Sequence, residues 1–169
     1  MYEWPTNLQA SLYIALSGYL VSTGYSINDT TQNDNINLLI GFPDDLVYIT
    51  DRTIAIDFQP TFNMIDSNEL GKSFGEYKMR MNYIIFTKTD RDREVLWFEL
   101  NKHFNEAPTY YNWSVAVTGG LVSGQTEYYI LFNRPSFNKI RNVKYETNEL
   151  LNHRGVARVE TRLCSNDLL

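Results

Sequence analysis

The sequence predicts an α+β fold: an antiparallel or mixed β-sheet with an N-terminal helix and a second helix packed on one face. Three observations predict it. Leu8, Leu12, Ala15, Leu16, Tyr19 and Leu20 recur at the spacing of one helix face. Segments 52–60, 76–87 and 156–163 alternate apolar and polar residues with the period of two that a half-buried strand requires. Between them, Leu96, Leu100 and Phe104 return to helical spacing. The order is helix, strands, helix, strands, with no internal repeat and no linker composition, so residues 1–169 are expected to form a single domain.

The first helix is expected to start near Thr6, which stands at capping-box distance from Gln9, and to stop at Gly24. The tract "SINDTTQNDN" (26–35) reads as a polar loop, because Ser, Asn and Asp compete for backbone hydrogen bonds and favour turns. "INLLIGF" and "LVYIT" are short apolar runs of either type, parted by a turn at Pro43, Asp44 and Asp45. In "RTIAIDFQP", Ile54, Ile56 and Phe58 face one way until Pro60 ends the strand. Segment 60–75 has no period and is long for a loop in a small domain, which points to a functional or partly disordered segment. The next strand, 76–87, sets Tyr77, Met79, Met81, Tyr83 and Ile85 against Lys78, Arg80 and Asn82. Its far end, with Ile84 and Phe86, is apolar on both faces, as in a central strand.

The run "KTDRDREVLWFELNKHF" (88–104) places Asp90, Arg91, Asp92 and Arg93 directly before a Trp-Phe pair. Thr89 occupies a helix N-cap position, Asp90 and Asp92 suit the positive end of the helix dipole, and Lys102 and His103 suit its negative end. The charges therefore read as the wet beginning of a helix whose buried stripe is Leu96, Leu100 and Phe104, widened by Val95 and Trp97. Beyond the linker "NEAPTYYN", runs 113–118 and 126–134 read as a hairpin closed by Pro135, with a short helix around 145–152. The strand 156–163 has one wet face, Arg158, Glu160 and Arg162, which suggests a place at or near an edge of the sheet.

A composition of 43% hydrophobic and 21% charged residues is that of a globular protein able to build a core. The 12 Tyr, 9 Phe and 3 Trp suit a sheet or a large partner surface. A net charge of -5 argues against a dedicated nucleic-acid binder, though not against a pore through which DNA slides without sticking. Cys164 is the single cysteine, so no internal disulfide is possible and a reducing cytosol is expected. The N-terminal residues lack the basic start of a secretory signal, and no apolar run approaches the roughly 20 residues a bilayer needs, so no membrane partner is expected.

No catalytic, metal or cofactor constellation stands out. Gly71-Lys72-Ser73 imitates the end of a phosphate-binding loop, but Asp66 holds the place of the required first glycine. Ser123 in "GLVSG" lacks the glycine two residues before it that a nucleophile elbow carries. His103, His153 and Cys164 have no metal-ligand spacing, and His103 reads as a helix-end residue. Lys78 and Arg80 lie on the strand face opposite Tyr77 and Tyr83, so they cannot form one mixed platform for bases.

The succession of an amphipathic helix (6–23), the strand "RTIAIDFQP", and then "ELGKSFGEYKMRMNYIIFTKTDRDREVLWFELNKHF" resembles the tail terminator and head–tail joining (neck) proteins of tailed bacteriophages. The resemblance spans roughly residues 6–105 and rests on topology rather than on a fixed motif. It implies a structural virion protein, not an enzyme, whose copies form a ring, hexameric in that family, capping the tail tube and joining it to the head. The implied partners are copies of itself, a tail tube protein and a head-closure or neck protein, with DNA passing through the lumen without specific binding. The place implied is the virion tail or neck, after synthesis in the host cytoplasm. The loop 60–75 would then be an assembly arm, with Phe62, Met64, Ile65, Leu70 and Phe74 as apolar contacts and Asp44 and Asp45 as further interface candidates. A tail tube or head-closure (stopper) protein and a small hydrolase-type enzyme are the alternatives.

Overall fold

The computed structural model describes residues 4–43, 51–58, 78–111, 125–140 and 153–165. Helix α1 runs Trp4–Ser22 and buries Leu8, Leu12, Leu16 and Leu20, one from each turn. It begins before Thr6, because Pro5 sits in the first turn, where a missing N–H costs nothing and φ is already set. Thr6 is therefore inside the helix. Gln9, instead of closing a capping box, donates from Nε2 to the Ile56 carbonyl at 2.7 Å and pins the helix to the sheet. The stop at Gly24 is as expected. Gly24 takes φ 101, its N–H donates to the Val21 carbonyl, and the Tyr25 N–H donates to the Leu20 carbonyl, the paired bonds of a Schellman cap.

The polar tract after α1 contains strand β1 (Ser26–Ile27), which pairs in parallel with β2 (Asn35–Ile40). Asn28, at φ 56, carries the pairing one step further with its side chain: Oδ1 accepts from the Leu38 N–H at 2.9 Å, and Nδ2 donates to the Leu38 carbonyl at 3.3 Å. Its neighbours hold each other in the same way, with Asp29 accepting from the Thr31 N–H and hydroxyl at 3.1 and 2.6 Å. Those two bonds hold the Asp29 carboxyl below its ordinary value.

Strand β3 (Thr53–Phe58) lies parallel to β2 and antiparallel to β4 (Lys78–Phe86), with Ile56 facing Tyr83. Helix α2 (Asp90–His103) follows, then β5 (Thr109–Tyr111), β6 (Gln125–Ile140) and β7 (Arg154–Ser165). The seven strands form one mixed sheet in the order β1-β2-β3-β4-β7-β6-β5. Both helices pack on the same face, where Leu8 to Leu20, Leu96 and Leu100 meet Ile54, Ile56, Met81, Tyr83, Ile85 and Val159 in one cluster. Tyr19 links the helices by donating its hydroxyl to Glu99 Oε2 at 2.9 Å. Burial and that bond raise its phenol to about 12.

Three further expectations are corrected. Strand β7, expected at or near an edge, is an inner strand between β4 and β6, third from the β5 edge, and its wet residues Arg158 and Glu160 sit on the face away from the helices. Pro135 does not close β6. It sits at an irregularity between Asn133 and Ser136, beside Arg134 at φ 51, so the missing N–H falls where no ladder bond is needed. The supposed linker holds β5, whose Thr109 pairs with Tyr129 and whose Tyr110 is buried. Segments 113–118 and 145–152 lie outside the described residues.

Candidate functional site

The charged start of helix α2 is capped and paired. The Thr89 hydroxyl accepts from the Asp92 N–H at 3.1 Å, as an N-cap should. Arg91 is exposed, but Arg93 is buried, with its guanidinium 2.6 Å from Asp90 and 3.4 Å from Glu94. Asp90 also meets His153 at 3.0 Å, and Glu94 meets Lys139 of β6. The bond from His153, with Arg93 and Lys139 nearby, holds the Asp90 carboxyl below its usual range. Lys139, then Arg93, does the same for Glu94. These contacts tie the helix start to β6 and to the beginning of β7. Beneath them Trp97 stacks on Phe137 at 4.8 Å, and Phe137 lies over Gly155. The charged run fastens the start of the helix to the sheet.

The buried stripe is Arg93, Leu96, Leu100 and His103, with Trp97 half-buried. Val95 does not join it; at 41% exposed it points outward beside Phe98 at 58%. His103 is fully buried against the rings of Tyr19, Phe104 and Phe132, with Nδ1 2.9 Å from Glu106 Oε2. Burial pushes its imidazole below the ordinary value, and Glu106 opposes that only in part. At neutral pH the ring is uncharged, Nδ1–H donates to Glu106, and Nε2 is left without a partner. It cannot complement the helix dipole as a cation.

The face of the sheet away from the helices has two halves. At one end Ala55, Ile84 and Phe86 form a small buried cluster with Leu39 and Val156, and Phe42 meets Phe86 edge to face at 6.4 Å. At the other end Arg80 of β4, Arg134 and Ser136 of β6, and Arg158, Val159 and Glu160 of β7 line a cleft of about 220 Å³. Register brings them together: Arg80 stands opposite Glu160, and Ser136 opposite Arg158. The irregularity at Arg134 and Pro135 bends β6 and re-aims Arg134.

No protein-family model matches the chain, and no curated protein matches it.

Phe62, Met64, Ile65, Leu70, Phe74, Asp44 and Asp45 all lie outside the described residues, as do Gly71-Lys72-Ser73 and Ser123. Among the described residues, no three of His, Cys, Asp and Glu gather as a metal site would require. His103 and His153 serve different contacts, one with Glu106 and one with Asp90. Among the described residues no helix is long and apolar enough to cross a membrane. Tyr83 is in the core while Arg80 is exposed on the opposite face, as the alternation of β4 requires. Sequence reasoning named Arg80 but missed Arg134 and Arg158 as its neighbours. The arginines at alternate positions of two strands are visible in the sequence, but the pairing of β4 with β7 that unites them is not.

Proposed function

We propose that the protein is a structural component of a tailed-phage virion, a ring of identical subunits that caps the tail tube and joins it to the neck. The observation that carries this reading is α1. Its 19 residues, "WPTNLQASLYIALSGYLVS", contain no Asp, Glu, Lys or Arg, although the helix lies on the outside of the sheet. A helix covering a monomer's core normally turns a charged face to water. Here the outer side presents Ile14 at 46% and Val21 at 56% exposure, with Gly18 between them. Depletion of charge around exposed aliphatic residues is the composition of an interface core. The helix, strand and helix order on one sheet face also agrees with the sandwich that the phage resemblance implies.

In this reading function needs no bond-making step. Identical wedges close through heterologous contacts, with the outer side of α1 meeting a different surface of the next copy. The tube protein and the neck protein bind the two ends of the ring, and DNA passes through an acidic lumen without specific binding. Terminating a polymer requires that the ring match the tube on one side and fail to repeat that face on the other.

Light scattering after size exclusion, with negative-stain images, tests the reading. The expected result is closed rings, alone or on tail tubes, that do not extend into tubes. The double substitution Ile14→Asp and Val21→Lys is expected to give folded monomers with unchanged circular dichroism. A wild-type protein that stays monomeric at high concentration and never seats on tubes would refute it.

A further inference from the structure

The cleft at the bend of β6 lies on the sheet face away from both helices. We infer that it binds a phosphate group, carried either as free phosphate or as the phosphate of a mononucleotide. Three guanidinium groups, Arg80, Arg134 and Arg158, line it with one carboxylate, Glu160. Among the described residues no carboxylate lies within ion-pair distance of any of the three arginines, although Glu160 stands directly opposite Arg80 in the ladder. Within the described residues of a chain whose net charge is -5, three guanidinium groups and one carboxylate thus surround one small concavity, two positive charges in excess.

The donor set suits phosphate better than carboxylate. A carboxylate is satisfied by one guanidinium fork, whereas a tetrahedral oxyanion offers acceptors in several directions to several forks. Two positive charges in excess match a phosphate dianion. The Ser136 hydroxyl adds a neutral donor, and Glu160 supplies an acceptor for a phosphate O–H or a sugar hydroxyl. The volume of about 220 Å³ is below the roughly 300–1,000 Å³ of pockets that enclose drug-sized molecules. The ligand is therefore held by its phosphate, with the remainder in solvent.

The backbone points the same way. Arg134 takes φ 51, a left-handed conformation uncommon for a residue with a side chain, at the strand irregularity that Pro135 marks. Strain of this kind gathers at ligand clamps. Here it swings a guanidinium across the face already occupied by Arg80 and Arg158.

The test is a titration of the full-length protein with inorganic phosphate, a mononucleoside monophosphate and succinate, followed by amide NMR at constant ionic strength. Phosphate is expected to give saturable shifts centred on residues 80, 134, 136, 158 and 160. Arg134→Gly keeps the left-handed backbone without strain and removes only the cation. It is expected to weaken phosphate binding about ten-fold, as loss of one charge-assisted contact should. Arg158→Gln is expected to do the same. Equal affinity for the two phosphates assigns free phosphate; tighter binding of the nucleotide assigns that source. Shifts that never saturate, succinate binding as tight as phosphate, or unchanged affinity in Arg134→Gly would each overturn the assignment.

Discussion

An alanine methyl at position 155 would lie 2.4 Å from two atoms of the Phe137 ring and 3.3 Å from Cδ of Arg93. The ring cannot retreat cheaply, because its other side stacks on Trp97 at 4.8 Å with the planes 6° apart. Gly155→Ala is therefore expected to cost about 1–3 kcal/mol, the usual penalty for overpacking a filled site. Urea unfolding reads the loss, and near-UV circular dichroism reads the disturbed Trp97 stack. An unchanged midpoint would show that Phe137 is free to move. At this scale the sequence was only partly legible. The leucine spacing named the buried side of α1, and Thr89 could be read as a cap. Nothing local shows that Phe137 covers Gly155 or that Arg93 is buried, since both depend on β6 lying beside β7. Arg134 is equally hidden: a left-handed arginine before proline is visible only once the strand is seen to continue past it.

The charges of 88–104 matter through the element they begin. Thr89→Ala removes the acceptor of the Asp92 N–H and is expected to lower stability by about 1 kcal/mol. Thr89→Ser, which keeps the hydroxyl, is expected to restore most of it. Chemical denaturation of both variants checks the cap, and equal losses in the two would mean that the methyl group, not the hydrogen bond, carries the effect. Helix α2 was legible because its signals are local: cap, dipole charges and stripe all lie within its own residues. Strand placement was not. The wet residues of β7 suggest a place at or near an edge, but a central strand is also half wet when helices cover only one face of its sheet. Pro135 reads as a terminator because proline cannot donate to a ladder, and a bulge removes that objection. Thr6 and Gln9 have capping spacing without capping, since Pro5 opens the helix earlier and Gln9 finds the Ile56 carbonyl instead.

Across the whole molecule, the candidate site illustrates why fold was easier to read than function: the cleft draws on β4, β6 and β7, and only their long-range order assembles it. The same long-range packing controls how the protein responds to pH, with three separate windows. His103 lies where α1, α2 and β6 meet, and its folded imidazole is depressed below the ordinary 6.5. The unfolded chain binds its proton first, so the stability contributed by a neutral His103 is complete above 6.5 and is lost as pH falls. Asp90 is depressed below 3.8, so its contribution is present above that value and fades in stronger acid. Tyr19 behaves inversely: with its phenol raised from 10.0 to about 12, its contribution holds below 10 and declines as pH rises through that interval. Denaturation midpoints between neutrality and mild acid are thus expected to fall first because of His103. His103→Asn, which cannot titrate, is expected to lower stability at neutral pH but to flatten the slope below 6.5. If His103→Asn titrates with the same slope as the parent protein, the acid sensitivity resides elsewhere, and the buried ring is not what couples protons to folding.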